Sequence, residues 1–194
     1  LELNIFKKDS TFTTAEQAAS VYYQIEPKQK VFVGVRSTQS TALLPETINN
    51  VGDYKTSAYE LKYTYQKLTV QNLLFPLNSA LELRLSKSKR KTMDTKTNQT
   101  LYLLKASKIF NLNSKHSFYL QLHAQGIDSE TYLQNELLRF GGINSIRGFE
   151  ENSISATGLG VLASEYRYQL SPSLYIHSII DAGYFETATK PNQK

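Results

Sequence analysis

The sequence contains no cysteine, no tryptophan and a single methionine among its 194 residues. Without cysteine, the chain can form neither a disulfide framework nor a thiolate metal site. No run of 18 apolar residues occurs, although 40% of the residues are hydrophobic, and this excludes a transmembrane helix. A transmembrane β-barrel stays open, because each of its strands needs only about ten residues of alternating character.

The formal net charge is +5, which favours either nucleic acid or an anionic membrane surface as a partner. Most basic residues are scattered, however, and the only dense run is Lys87-Ser-Lys-Arg-Lys91. A solvated loop face is the simplest interpretation of such a run, so no nucleic-acid partner is predicted. The 13 tyrosines and nine phenylalanines fit the aromatic girdles of a membrane barrel, and they also fit a soluble β-sandwich.

Two-residue alternation of apolar and polar side chains is the dominant pattern of the chain, and no helical period of similar strength occurs. Such alternation predicts an all-β, antiparallel fold. The nine candidate strands lie at about 1–5, 21–25, 31–36, 59–65, 81–86, 102–107, 118–125, 158–171 and 173–186.

The connections between these strands alternate in length. Short ones are predicted at Glu26–Gln29, Phe75–Asn78, Asn111–Lys115 and Leu170–Ser173. Longer polar ones are predicted at 7–16, 44–57, 92–100 and 128–157. Short turns at one end and long loops at the other are the layout of an outer-membrane barrel.

The alternation also assigns each side chain to one of two faces, because a strand repeats every two residues. A lipid-facing set is predicted: Tyr59, Leu61, Tyr63, Leu81, Leu83, Leu120, Leu122, Tyr166 and Ile180. A lumen-facing set is predicted opposite: Glu60, Glu82, Arg84, Gln121, His123, Glu165 and Asp181. A dry sandwich core could not hold such charges unpaired, whereas a wet barrel lumen can.

Residues 128–157 form one long predicted loop, and loops of this length in compact domains are usually functional or disordered. Gly141, Gly142 and Gly148 allow backbone turns that are closed to other residues. Arg147 offers a planar fork of five donors suited to carboxylates. Apolar residues that predict anchoring of the loop are spread along it: Leu137, Leu138, Phe140, Ile143, Ile146 and Phe149.

Glu165 and Asp181 point to the same face on two strands joined by a short turn, so they can lie close together. Two like charges favour a cation between them, and Arg147 can supply it. The alternative is that the loop tip is a tight turn with a surface arginine and that the two acids are unrelated. The pair could also mimic a glycosidase dyad, but no substrate cleft is implied. The three histidines show no metal spacing, so no enzyme activity, metal or cofactor is predicted.

Residues 138–186 resemble the C-terminal barrel of the outer-membrane insertase and two-partner-secretion transporter superfamily, also called the bacterial surface antigen family. Three elements carry the resemblance: Gly-Gly-Ile-Asn-Ser-Ile-Arg-Gly-Phe at 141–149, Ser-Glu-Tyr-Arg at 164–167 and Asp-Ala-Gly at 181–183. The resemblance implies a loop tip, formed by Ile146, Arg147, Gly148 and Phe149, that folds into the lumen. It also implies that Arg147 meets Glu165 and Asp181 there.

The resemblance implies a sixteen-strand barrel, of which this chain supplies about nine strands, the fifth to the thirteenth. Residues 1–194 are therefore expected to form one partial barrel domain with a long, lumen-inserted extracellular loop. The edge segments 1–6 and 173–186 are expected to pair with strands not present here. Residues 188–194 are expected to be a truncated extracellular loop.

The leading functional hypothesis is an outer-membrane insertase or translocase of a Gram-negative bacterium that assembles or exports β-rich proteins. Its expected partners are membrane lipid, unfolded outer-membrane or secreted proteins, and periplasmic domains with accessory subunits. A two-partner-secretion pore of the same superfamily is the alternative. A soluble β-sandwich binding domain is an alternative of a different class.

Overall fold

The structure is a computed structural model that describes residues 2–8, 11–43, 51–69 and 74–187. Nine strands form one antiparallel sheet in the order β1-β2-β3-β4-β5-β6-β7-β10-β11, and β8 and β9 form a separate pair. The strands are β1 (Glu2–Lys8), β2 (Phe12–Glu26), β3 (Gln29–Ala42), β4 (Tyr54–Leu68), β5 (Leu77–Lys91), β6 (Lys96–Asn111), β7 (His116–Ser129), β8 (Leu138–Phe140), β9 (Ile154–Ala156), β10 (Gly158–Ser171) and β11 (Leu174–Glu186). The predicted all-β, antiparallel fold of about nine wall strands is confirmed. The described residues contain no helix with the length and hydropathy of a membrane span.

The sheet has one apolar face and one polar face, and the strand register keeps each continuous. Leu83, for example, lies between Tyr63 on one side and Leu104 on the other. Many side chains of the apolar face are exposed, with Tyr59 at 79% and Ile180 at 74%. The polar face, by contrast, holds covered charges such as Arg36 and Glu60, whose side chains are 15% and 12% exposed. The two predicted sets of residues therefore lie on opposite faces, and the apolar set is the uncovered one.

Several predicted connection lengths are wrong, because the strands run further than expected into polar sequence. The long loops predicted at 7–16 and 92–100 are short, since β1 ends at Lys8 with β2 beginning at Phe12, and β5 ends at Lys91 with β6 beginning at Lys96. Polar residues such as Gln99 still pair with both neighbouring strands, so low hydrophobicity did not end the strand. These ends extend β2–β7, β10 and β11 to between 13 and 16 residues. That is more than the roughly ten needed to cross a bilayer.

Two further boundaries differ from prediction. The turn predicted at Phe75–Asn78 is part of a longer connection, because β4 ends at Leu68 and Asn78 already belongs to β5. β4 begins at Tyr54, inside the loop predicted at 44–57, and residues 44–50 of that loop lie outside the described residues. The long loop predicted at 128–157 is present, with β8 and β9 pairing inside it.

β1 and β11 each pair with one strand only within the described part of the chain, so the sheet is not closed there. Their predicted pairing with strands not present here stays a prediction. The tail predicted as a truncated loop, 188–194, lies outside the described residues.

The main apolar core lies between the long loop and the polar face of the sheet. Leu138, Phe140 and Ala156 of β8 and β9 pack on Leu159 and Val161 of β10. The loop therefore folds back over the sheet, and burial of these side chains holds its two arms against the wall.

Candidate functional site

The polar face of the sheet is called the inner face below, because the long loop covers it. Its charges occur in networks. The guanidinium of Arg36 lies 3.1 Å from a carboxylate oxygen of Glu60 and 3.2 Å from one of Glu16, and Arg84 lies 2.8 Å from Glu82. Such pairing allows charges to line a partly covered surface, where isolated charges would be strongly unfavourable.

The tip of the loop is held on this face by Arg147. Its Nε donates to Asp181 Oδ2 at 2.7 Å, one terminal nitrogen lies 2.5 Å from Asp181 Oδ1, and the other lies 2.6 Å from Glu165 Oε1. The backbone N–H of Arg147 also donates to Asp181 Oδ2 at 3.0 Å. The structure thus brings together all three charged residues singled out in the sequence, and the arginine fork engages both acids at once.

Burial makes these contacts strong. The side chains of Glu165 and Asp181 are 11% and 6% exposed, and that of Arg147 is 22% exposed. The hydrogen bonds to Asp181 raise the pKa of the Arg147 guanidinium above its ordinary value, so the arginine stays charged.

Glu165 also forms an ion pair with Arg167. Arg167 donates from Nε to Glu165 Oε2 at 2.8 Å, and its guanidinium stacks 4.2 Å from the ring of Phe75 and 4.4 Å from that of Tyr119. Glu165 is therefore shared between the loop and the wall, whereas the ion pair of Asp181 is with the loop alone among the described residues.

The glycines of the loop occupy the backbone conformations predicted for them. Gly141, Gly142 and Gly148 have φ values of 118°, 91° and 92°, in the region that L side chains rarely adopt. A Cβ at Gly142 would also lie against the carboxylate of Glu151. These turns let the chain reverse direction before and after the Arg147 tip.

Ile146 fills a space that a glycine leaves open. A Cβ added to Gly183 on β11 would lie 3.0 Å from Ile146 Cδ1 and 3.7 Å from Val161 Cγ2. Ile146 also packs against the apolar core beneath the loop. The glycine two residues after Asp181 therefore makes room for the residue that precedes Arg147.

Two of the predicted apolar anchors do not anchor the loop. Ile143 is 79% exposed and Phe149 is 52% exposed, whereas Leu137, Leu138 and Phe140 are buried. The expectation was wrong for Ile143 and Phe149, whose side chains are exposed at the turns on either side of Arg147, whereas Ile146 in the same segment packs against the core.

Replacing Gly183 with valine should displace Ile146 and loosen the tip without touching any charge. The added side chain needs space that Ile146 Cδ1 occupies, and overpacking typically costs 1–3 kcal/mol, so we expect a loss of about 2 kcal/mol. Gly160→Val is the matched control, because a Cβ there meets nothing within 4 Å. Protease sensitivity of the loop in the full-length protein measures the effect, and equal sensitivity of the two variants would argue against this packing role.

A second anchor of the loop was missed in the sequence. Arg90 on β5 and Glu136 in the loop form an ion pair in which the side chains are 2% and 3% exposed. Arg90 also donates to the carbonyl oxygen of Thr131 at 3.0 Å, and Glu136 accepts from the backbone N–H of Leu133 at 2.7 Å. The interpretation of Lys87–Lys91 as a solvated loop face is therefore wrong for Arg90, which is buried within a strand. Arg90 lies four residues from Ser86 and six from Arg84, both on the inner face, and this even spacing within a strand was the available signal.

Asn135 extends this anchor to the neighbouring strands. Its side-chain amide donates to Ser40 Oγ at 2.8 Å and to the carbonyl oxygen of Gly52 at 2.9 Å, and it accepts from the N–H of Gly52 at 3.3 Å. The base of the loop is thus fixed to the β3–β6 side of the wall, and its tip to β10 and β11.

Comparison with known proteins adds the family. Residues 15–194 match the model of the haemolysin secretion/activation protein family ShlB/FhaC/HecB. The chain belongs to this family. The family match confirms the resemblance that the 141–149, 164–167 and 181–183 elements indicated. No curated protein sequence matches the chain.

A structural match supports the barrel fold of this family member. CdiB from Acinetobacter baumannii superposes with a TM-score of 0.60 at 16% sequence identity, over 93% of this chain and 33% of CdiB. At this identity the likeness concerns the fold alone. The chain spans about a third of the length of CdiB.

Proposed function

We propose that the chain forms part of the wall of an outer-membrane polypeptide transporter, a secretion pore of the two-partner type. Its long loop is held inside the lumen by Arg147. The observation that carries the proposal is the arginine fork shared between Asp181 and Glu165, which fixes the loop tip to two wall strands. Membership of a secretion and activation family favours export of a partner protein over the other activities considered.

The two faces of the sheet support the membrane placement. An exposed apolar face continuous across nine strands is unfavourable in water and suited to lipid, and an inner face of networked charges is suited to a wet lumen. A soluble β-sandwich would bury its apolar face against a second sheet. The only other sheet among residues 2–8, 11–43, 51–69 and 74–187 is the short β8-β9 pair, which lies on the polar face.

The charge arrangement indicates how the loop could be released during transport. When the tip leaves, Glu165 keeps Arg167 as a partner, 2.6 Å away, but Asp181 loses both the side-chain and the backbone donors of Arg147. The free-energy cost of releasing the tip therefore comes mainly from leaving the carboxylate of Asp181 unpaired. A polypeptide in transit that offers a cation to Asp181 would reduce that cost.

Insertase activity, in which a barrel templates the strands of other proteins at its seam, remains a prediction for this chain. It requires the same lumen and the same loop, so the contacts of Arg147 do not separate it from a secretion pore. The family match favours secretion. Two results together would distinguish a secretion pore from an insertase. The full-length protein should release a partner protein into the medium, and its deletion should leave the assembly of other barrels unchanged.

The membrane placement itself is tested by single cysteines, which the native sequence lacks. A fluorophore attached to a cysteine at Leu61, Leu83 or Leu122 should be quenched by lipid-borne quenchers, because these residues lie on the apolar face. Cysteine at Gln121 or Gln125, on the opposite face, should react with water-soluble maleimides. Equal access of lipid quenchers to both sets would contradict a barrel wall.

A further inference from the structure

Five lysines form a cluster on the outer, apolar-side face of the sheet, at the end that carries the long loop. Three adjacent strands contribute its members, and all five side chains are exposed. The register aligns them on one face, as Lys55 on β4, Lys87, Lys89 and Lys91 on β5, and Lys96 on β6. This group is called the lysine patch below.

Like charges stand directly opposite one another in the patch. Lys91 pairs in register with Lys55 on one side and with Lys96 on the other. The three lysines therefore span three strands, roughly 10 Å in all. Like charges in directly opposite positions destabilise a sheet. None of the five forms an ion pair with any described residue, although Asp94 lies in the β5–β6 turn and Asp128 shares the face on β7.

The patch is not explained as protection of a sheet edge. Lysines often guard edge strands against unwanted pairing. Here β4, β5 and β6 are interior strands, each paired on both sides. The positive charge of the five lysines is therefore uncompensated on interior strands of the sheet, at an exposed surface that an external anion can reach.

The patch is continuous with the apolar face below it. Lys87 is aligned with Tyr59, and Leu85, two residues before Lys87 on β5, is aligned with Leu61 and Tyr102. Those four apolar or aromatic side chains are exposed. A molecule that lies on this surface therefore meets hydrocarbon-compatible side chains and then a cluster of cations, which is the chemistry of an anionic lipid rather than of a soluble anion.

We propose that the lysine patch binds the phosphorylated headgroup of an outer-leaflet glycolipid of the lipid A type, with its acyl chains on the apolar face beside β4–β6. The inference rests on the proposed function, because it requires the apolar face to lie in the membrane and the long-loop end to be extracellular, as in barrels generally. Clustered lysines at a membrane surface attract anionic headgroups through charges that add along the cluster.

The test compares three forms of the full-length protein in nanodiscs of neutral phospholipid. They are the native protein, a patch variant (K55Q, K87Q, K89Q, K91Q, K96Q) and a control variant (K28Q, K30Q, K67Q, K108Q, K115Q). The control removes the same number of charges from the opposite, short-turn end of the strands. Binding of bisphosphorylated lipid A, and of lipid A lacking both phosphates, is measured by native mass spectrometry.

The native and control proteins should bind bisphosphorylated lipid A alike, and the patch variant at least about tenfold more weakly. Binding by the native protein should also fall with added salt. Any one of four results would overturn the proposal. Two concern the variants: equal binding of bisphosphorylated lipid A by all three forms, or a loss of binding in the control equal to that in the patch variant. The other two are undiminished binding of the dephosphorylated lipid and full competition by inorganic pyrophosphate. If the proteins enter nanodiscs normally, such a result leaves the transporter function standing. Failure of the native protein to enter nanodiscs would overturn both.

Discussion

Replacing Arg147 with alanine should release the loop tip from the inner face and impair the proposed export of a partner protein. Asp181, 6% exposed, would lose its only ion-pair partner among the described residues, while Glu165 would keep Arg167. Removing one member of such a pair costs on the order of 3 kcal/mol. At 1.4 kcal/mol per decade, that raises the released population roughly a hundredfold. Protease cleavage within 141–152, measured on intact cells from outside, reports the release.

Two further variants distinguish the effect of the guanidinium geometry of Arg147 from the effect of its charge and from a general disturbance of the loop. Arg147→Lys keeps the charge but loses the planar fork, so it should give an intermediate cleavage rate. Arg139→Ala removes another arginine of the loop, which bonds Ser155 and a backbone carbonyl and lies over the ring of Phe12 but pairs with no described carboxylate, so it should raise cleavage at the tip less than Arg147→Ala does. Native-like protection and secretion in Arg147→Ala would contradict the role of the tip.

Replacing Glu136 with alanine should destabilise the protein more than any surface change in the same segment. Arg90, whose side chain is 2% exposed, would be left without a carboxylate, and the backbone N–H of Leu133 would lose its acceptor. Breaking a buried pair costs about 3–5 kcal/mol. Urea unfolding of the full-length protein in detergent measures this cost.

Glu130→Ala is the matched control, because Glu130 is exposed and lies in the same arm of the loop. The double variant Arg90→Met/Glu136→Leu should recover part of the lost stability, since it removes both buried charges together. The same midpoint for Glu136→Ala and Glu130→Ala would show that the pair does not hold the loop base.

The faces of the strands were predictable from the sequence because their signal is local. A period of two residues fixes which side chains share a face, whatever the neighbouring strands do. Strand ends were harder to predict. Gln99 and its polar neighbours carry no apolar alternation, yet ladder hydrogen bonds continue through them, so a loop was predicted where a strand lies.

The two anchors of the loop differ in the same way. Arg147, Glu165 and Asp181 were found because short motifs resembled a family, whereas spacing alone left a surface arginine equally open. Arg90, Asn135 and Glu136 carry no such motif, and the contacts they make between the loop and the sheet span 37 to 95 positions of the chain. Only the two-residue period that Arg90 shares with Arg84 and Ser86 marked it as inward-facing within the basic run, and no local signal identified Glu136 as its partner.

The central claim is that the loop tip rests on the inner face of β11 in the working protein. A cysteine pair at Ile146 and Gly183 tests it directly, because the Ile146 side chain reaches the space that a Gly183 side chain would fill and these 194 residues contain no other cysteine. In cells that express the full-length protein, a short bifunctional thiol cross-linker should join this pair, and it should not join a pair at Ile146 and Gly160, because Gly160 lies on the opposite face of the sheet. Absence of the Ile146–Gly183 cross-link, together with free labelling of the Ile146 cysteine from outside the cell, would contradict the account.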